Sequence, residues 1–274
     1  VIKRRAAFHS EDEYRLEERR SLAVPGDWQS HIVVRDVEAA VSSTRRLLRL
    51  ARKTGKRIHV LHISTAEEME LLRDAKDLAS VEVLPNHLTL AAPECYERLK
   101  GFAQQNPPVR EQRHQDALWR ALNAGIVDVL ATDHAPHTRE EKERPYPASP
   151  SGMPGVQTMV PVMLTHVNNG KLTLQRFVEL TSAGPQRVFG LADKGRIAEG
   201  YHADFTVVDL KRKETITEEW SKSKCGWTPY DGFEATGWPV ATIIRGGFVM
   251  RDGEIVKKGG GQPVRFNETL EPMG

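Results

Sequence analysis

The stretch Ile126-Val127-Asp128-Val129-Leu130-Ala131-Thr132-Asp133-His134-Ala135-Pro136-His137 decides the fold. Ile126 to Ala131 is an apolar run of the length of a buried strand and too short for an ordinary helix. It stops at Thr132-Asp133-His134, so the strand delivers polar groups at its C-terminal end. The preceding segment, Glu111 to Asn123, has helical spacing and is closed by Gly125. A helix feeding a buried strand is half of a βαβ unit, which predicts parallel strands joined by crossover helices.

The same cycle repeats toward the N-terminus. Val81 to Leu84 reads as a strand. Thr65 caps the helix before it, with Glu68 three residues on as a capping-box partner. Arg57 to Ile63 is another strand, interrupted by His59. Asp36 is the N-cap of a longer helix in which Val37, Ala40, Val41, Thr44, Leu47, Leu48 and Ala51 form one apolar stripe, and Gly55 ends it. Ile2 to Phe8 is a first strand, running into His9-Ser10-Glu11-Asp12 and then a charged, irregular segment with a turn at Pro25-Gly26. Gly155 to Val167 and Thr173 to Thr181 read as further helices. Beyond Gly200 the pattern changes. Ala203 to Asp209, Thr242 to Arg245, Phe248 to Arg251 and Glu254 to Lys257 read as strands, with Gly246-Gly247 and Asp252-Gly253 as hairpin turns. The expected organisation is an α/β region over 1–194 and a small antiparallel β module over 195–274. A closed (β/α)₈ barrel needs eight units in roughly 250 residues. With about four parallel strands, this chain holds either an open doubly wound sheet or part of a barrel.

Composition removes several functions. The 39 Lys and Arg nearly balance the 37 Asp and Glu of the 274 residues, and the net charge of +2 argues against a nucleic-acid surface. Cys95 and Cys225 are too few for a disulfide scaffold or a zinc knuckle. No apolar run approaches the ~20 residues that cross a bilayer, and no signal-peptide core follows Val1. A cytoplasmic protein with a processed or truncated beginning is expected.

Three polar segments fall at the C-terminal ends of predicted parallel strands, the edge where such folds bind ligands: His9, His62 and Asp133. Imidazole nitrogen and carboxylate oxygen are the donors that suit zinc. Asp133 leaves a dry strand, so its carboxylate can bind a metal and take a proton from activated water. As an alternative, Asp133 caps the next turn and both neighbouring histidines face solvent. Asn106-Pro107-Pro108-Val109-Arg110 is a stiff loop that can present the Asn amide to the amide or imide edge of a ring, or is simply a solvent loop. Ser151-Gly152-Met153-Pro154-Gly155 precedes a helix and can offer backbone N–H groups, as many Gly/Pro turns do. His31, His59, His87, His114, His166 and His202 read as structural or surface residues.

In order and spacing, Phe8-His9-Ser10-Glu11-Asp12, His62-Ile63-Ser64-Thr65, the Asn106 loop, Thr132 to His137 and Ser151 to Gly155 resemble dihydroorotases. The resemblance covers nearly the whole chain. Hydantoinases and allantoinases are similar around the metal but usually differ at the Asp-His-Ala-Pro-His and Asn-Pro-Pro stretches. Gly195 to Asp204 is similar to the return of an amidohydrolase chain into its β-sandwich. The resemblance implies the C-terminal part of a (β/α)₈ barrel beside a small sandwich. It implies a binuclear zinc enzyme that reversibly opens dihydroorotate to N-carbamoyl-aspartate in pyrimidine synthesis. His9 and His62 would bind one zinc. Asp133 would bind the other and shuttle a proton, while Asn106, His137 and the backbone near Pro154 and Gly155 hold the ring. The family's His-x-His pair occurs nowhere here, so this chain alone is expected to bind one zinc weakly at best. It is expected to be the remainder of an active enzyme, commonly a dimer, or else an inactive structural partner of aspartate transcarbamoylase. A generic α/β binding module is the non-enzyme alternative, and it predicts no clustering of the three ligands.

Overall fold

The computed structural model of the chain describes residues 4–267. Ile2 and Lys3 of the expected first strand lie outside the described residues. The chain divides into two compact units. One holds the residues up to Met159 together with Ile216–Phe233, and the other holds Val160–Thr215 and the residues from Glu234 onward. This division does not fall at residue 195. Residues 160–194 go with the antiparallel sheet, and Ile216–Phe233 goes back to the first unit.

The first unit is built on four parallel strands, β1 (Ala6–Phe8), β2 (Ile58–Val60), β3 (Ala79–Val83) and β4 (Val129–Leu130), adjacent in that order. Ala6 pairs with Ile58, Ile58 with Ala79, and Glu82 with Val129. The helices are α1 (Glu13–Arg19), α2 (Ser30–Val34), α3 (Val37–Thr54), α4 (Ala66–Arg73), α5 (Pro85–Thr89), α6 (Glu94–Leu99), α7 (Gln112–Asn123) and the single turn α8 (Arg139–Lys142).

Local chemistry explains the longer elements. Asp36 accepts the Ala39 N–H at 3.0 Å to start α3, and Gly55 ends it in the left-handed region at φ 62°. Between them Ala40, Val41, Leu48 and Ala51 are buried. Thr65 accepts the Glu68 N–H at 3.1 Å to start α4. The Glu68 carboxylate does not complete a capping box. It lies buried between the hydroxyls of Thr44 and Thr65, each donating at 2.8 Å. Val60, Val81, Val83, Leu84, Leu88 and Leu122 are fully buried, each contributing about 1.5–3 kcal/mol of apolar burial. His59, which interrupts the apolar pattern of β2, is buried between Ser80 at 2.8 Å and Glu82 at 3.2 Å on β3.

In the second unit α9 (Met159–Asn168, its first residue in the first unit) is followed by α10 (Leu174–Val178), a π-helical turn and α11 (Gly184–Phe189). Strands β5 (Phe205–Thr215), β6 (Glu234–Ile244), β7 (Gly247–Arg251) and β8 (Glu254–Ile255) then pair antiparallel in sequence order. Both hairpins turn on two residues with positive φ, Arg245-Gly246 and Asp252-Gly253, the requirement of a type I′ turn. The first turn lies one residue before the expected Gly246-Gly247, because Gly247 already pairs with Ile244. Strand β6 begins at Glu234, well before the expected Thr242; Gly237 and Pro239 hide its first half in the sequence. Among the described residues these four strands form one sheet, and the facing layer of a sandwich is not shown. Also among the described residues, no helix is long and apolar enough to cross a membrane.

Candidate metal and substrate site

The residues just beyond the four parallel strands carry the chemistry. His9 follows β1, His62 lies two residues beyond β2, and Asp133 lies three beyond β4. His62 and Asp133 have positive φ, 33° and 46°. Side chains other than glycine avoid that region, and holding them there costs on the order of 1–3 kcal/mol. The strain falls on two residues singled out for their ligand chemistry.

His9 and His62 meet. Nδ1 of His9 is 3.2 Å from Nε2 of His62, with the rings edge to face at 4.9 Å. The other nitrogen of His9, Nε2, donates to Glu11 at 3.0 Å, which leaves Nδ1 bare in the neutral ring. Glu11 is buried and bound by Arg35. Burial alone would raise the pKa of its carboxyl. The hydrogen bond from His9 and the charge of Arg35 outweigh that and hold it below the usual range. A carboxylate that orients the remote nitrogen of a metal-binding imidazole is the usual outer partner of such a ligand. Burial first, and then the proximity of His9, lowers the pKa of His62 to about 4. This imidazole is therefore neutral, as ligation requires. Its backbone N–H donates to Glu82 at 3.3 Å, and its Nδ1 is buried without a protein partner. The facing nitrogens suit either one imidazole–imidazole hydrogen bond or two corners of a metal site. Zn–N bonds of about 2.0–2.1 Å set two tetrahedral nitrogens about 3.3–3.4 Å apart, so the pair fits zinc.

Asp133 is solvent-accessible at the end of β4. Partial desolvation raises the pKa of its carboxyl, against a smaller opposing electrostatic influence of His9. Among the described residues no three His, Cys, Asp or Glu side chains are grouped to hold a metal ion. Of the three expected ligands, the structure therefore brings His9 and His62 together and leaves Asp133 outside the pair.

A second set of groups converges from the loops. Asn106 is half-buried, and its Oδ1 is buried with no protein partner. Such an acceptor costs about 1–3 kcal/mol unless something donates to it. His137 donates from Nε2 to the Ser151 carbonyl at 3.2 Å, and its own carbonyl accepts the Trp227 indole N–H at 2.8 Å. The loop Ser151 to Gly155 lies tight against residues 132–137. A Cβ on Gly152 would meet the Ala135 oxygen at 2.4 Å, and one on Gly155 would meet the Thr132 Cβ at 3.1 Å. The Gly155 N–H, expected to face a ligand, donates instead to Nδ1 of His134 at 3.0 Å. Pro154 is buried beside it.

Two buried groups behind the site escaped sequence reasoning. Arg110, the last residue of the Asn106 loop, reaches Ser64 Oγ at 3.0 Å and the Arg35 carbonyl at 2.9 Å. It thereby ties that loop to the turn after His62 and to the residue that holds Glu11. The second is Lys142. Nothing in their local spacing separates either from a solvated surface cation.

Paired strand-end imidazoles, an oriented carboxylate partner and a carboxylate beyond the far strand all follow the C-terminal ends of the parallel strands. The sequence pattern of the Amidohydrolase family matches residues 2–255. The chain belongs to the amidohydrolase family. This amidohydrolase is 40% identical over 227 residues to a dihydroorotase of Pyrococcus furiosus, covering 82% of this chain and 53% of that protein. It is 37% identical over 267 residues to a dihydroorotase of Methanosarcina acetivorans, covering 93% and 57%. The chain spans about half the length of the curated relatives it matches. Among solved structures it is similar to the L-hydantoinase (dihydropyrimidinase) of Arthrobacter aurescens. That match has a TM-score of 0.88 at 30% identity and covers 94% of this amidohydrolase and 60% of that chain. The D-hydantoinase of a Thermus species also gives 0.88, at 28% identity, with 95% and 60% covered. Amidohydrolase-fold neighbours of this kind accord with the α/β architecture.

Proposed function

We propose that this amidohydrolase chain is part of a dihydroorotase, a zinc-dependent enzyme that reversibly opens dihydroorotate to N-carbamoyl-aspartate in pyrimidine synthesis. In this reading its four parallel strands are an arc of a (β/α)₈ barrel, and β5–β8 belong to the accompanying sandwich. The observation that carries the reading is the 3.2 Å approach of His9 and His62, two residues far apart in sequence with bare or buried nitrogens. His9 and His62 would hold one zinc, with Glu11 keeping His9 in the tautomer that ligates. Bound zinc supplies Lewis acidity at the ring carbonyl and activates the attacking water. Asp133 takes the proton of that water as its oxygen bonds to the carbonyl carbon. It passes the proton to the ring nitrogen as the C–N bond breaks. The unpaired Oδ1 of Asn106 accepts a ring N–H, and His137 closes beside the ring, with the Pro154-Gly155 turn held behind it by the Gly155 N–H to His134. A hydantoinase would share the metal chemistry. The higher identity to dihydroorotases and the presence of both Asn106 and His137 favour the dihydroorotate ring. A cytoplasmic dimer fits this reading, as do the two free thiols.

The test measures zinc content and ring opening of dihydroorotate and of hydantoin. It uses this chain alone and a form extended at its N-terminus by a segment that carries a His-x-His pair. Zinc and dihydroorotate turnover in the extended form support the proposal. Turnover in neither form favours an inactive partner of aspartate transcarbamoylase, and preference for hydantoin reassigns the substrate. In the active form, Asp133→Asn should lower kcat by about a thousandfold or more, a barrier rise of about 4 kcal/mol, with an unchanged melting temperature. Retained turnover would remove Asp133 from the chemistry.

A further inference from the structure

Lys142 closes the one-turn helix α8 and is fully buried, with 0% of its surface exposed. Its ammonium donates to three backbone carbonyls: Gln104 at 3.0 Å, Pro150 at 2.7 Å and Gly152 at 3.0 Å. An ammonium has three N–H donors, so each one is used. None of the three acceptors is a carboxylate, and the indole of Trp227 lies 5.7 Å away. A buried cation without a countercharge is costly, and burial pushes the pKa of this lysine down to about 7. Apolar side chains fill such a position at lower cost, so the placement of the charge calls for another explanation.

The acceptors supply it. Gln104 is two residues before Asn106. Pro150 and Gly152 open the loop that leads to Pro154 and Gly155. Lys142 itself is five residues after His137, at the end of a turn capped by Thr138 and Glu141. Further bonds tie the same three segments together. The Gly152 N–H donates to the Gln104 carbonyl at 2.9 Å, and the Ala135 N–H to the Met153 carbonyl at 3.1 Å. The Gln104 amide donates to the Ser149 carbonyl at 2.8 Å, and Ser149 Oγ donates to the Lys142 carbonyl at 3.1 Å. We propose that Lys142 is a positioning residue whose ammonium locks together the three loops that carry Asn106, His137 and Pro154-Gly155, fixing the shape of the ring-binding side of the site without touching the ring. This builds on the proposed substrate site, while the junction itself is independent of any ligand.

The experiment therefore reads the junction and the chemistry separately. In Lys142→Met, hydrogen exchange at the Gly152 and Ala135 amides should quicken by about tenfold or more, the loss of bonds that the ammonium organises. The amides of Val60 and Val83 in the parallel strands should be unchanged. Lys142→Gln, which keeps two of the donors, should fall between wild type and Met, and it carries the comparison if the Met variant does not fold. Unchanged exchange at both loop amides, or an equal quickening across loops and strands, overturns the proposal. In the N-terminally extended, active form, KM for dihydroorotate should rise about tenfold with kcat and zinc content nearly constant. A loss in kcat with unchanged KM also overturns it. If the wild-type enzyme does not open dihydroorotate at all, the substrate reading fails, and the exchange pattern alone decides the role of Lys142.

Discussion

No strand of the parallel sheet exceeds five residues, whereas β5 and β6 of the antiparallel sheet run to eleven each. Length and burial do not run in parallel, since short β1 has no buried residue and long β6 has four. Every residue of β2 and β3 is buried, while β5 has no buried residue at all. Polar chemistry follows the burial. Around the parallel sheet, His59, His62, Glu68, Arg110 and Lys142 lie inside the protein with named partners or a lowered pKa. On the antiparallel sheet, pairs such as Arg212 with Glu214 stay in solvent. The contrast places the buried ionisable groups around the parallel sheet and a solvent-exposed ion pair on the antiparallel one.

The largest effect that can sharpen the contrast is loss of a buried cation. Arg110→Met would leave the Ser64 hydroxyl and the Arg35 carbonyl without their donor, and would strip Glu11 and Glu68 of a nearby positive charge. Removing one partner from a buried charge network costs about 3–5 kcal/mol, so chemical denaturation of the variant should show a loss of that size. A loss below about 1 kcal/mol would mean that the network is far better solvated than its burial implies.

Acid is the next lever. Burial, the leading cause, lowers the pKa of His31 from 6.5 to about 4 and that of His87 to about 3. Burial likewise brings His114 to about 4, where its Nδ1 accepts the Ala66 N–H at 3.0 Å as a neutral ring must. These folded-state values lie below the unfolded one, so the unfolded chain binds more protons once the pH drops under 6.5. Stability from these groups is complete above pH 6.5 and drains away between 6.5 and about 4, or about 3 for His87. A fully buried imidazole accounts for on the order of 3 kcal/mol over its window. The second unit carries one such imidazole, His166 on α9, lowered to about 4 by burial, against three named here in the first, so strands β2 and β3 should lose more exchange protection across this range than β5 and β6 do. Equal loss in both sheets would erase the distinction between them.

Much of this was legible in the sequence where the cause is local. Asp36 and Gly55 bound α3 because capping chemistry acts within one turn, while the strands expected over Arg57 to Ile63 and Ile126 to Ala131 shorten to Ile58–Val60 and Val129–Leu130, which leaves His62 beyond its strand and not within it. The Arg245-Gly246 turn was legible only to within one residue, because neighbouring glycines leave the register open. Glu68 is half legible: its N–H finds Thr65 as a capping box requires, but its carboxylate turns toward Thr44 on another helix. Lys142 and Arg110 were not legible. A Lys three residues after an Arg looks like a solvated helix face, and only loops distant in the chain determine that it is buried. The same holds for Asn106, whose unpaired oxygen is visible only once the loop is folded.

Glu68 offers a medium-sized test. In Thr65→Ala the α4 cap and one hydroxyl donor to a buried carboxyl disappear together. A lost cap costs about 1 kcal/mol and up to about 2, and the thermal midpoint should fall accordingly. Thr65→Ser, which keeps the hydroxyl, should restore most of it. A Ser variant as weak as Ala would place the effect in methyl packing and not in the hydrogen bonds.

The smallest expected effect belongs to the antiparallel sheet. Arg212 donates to Glu214 at 2.9 Å, but their side chains are 37% and 41% exposed. Water and salt screen such a pair, and ordering two long side chains opposes what attraction remains. The backbone of Arg212 is held separately, its N–H donating to the Asp209 carboxylate at 3.1 Å where the pairing of β5 with β6 shifts register. Arg212→Ala keeps that bond, so the stability change should stay below about 0.5 kcal/mol and should not vary with ionic strength. A loss above about 1 kcal/mol that shrinks with added salt would show that this sheet also stores electrostatic energy. Burial would then no longer separate the electrostatics of the two sheets.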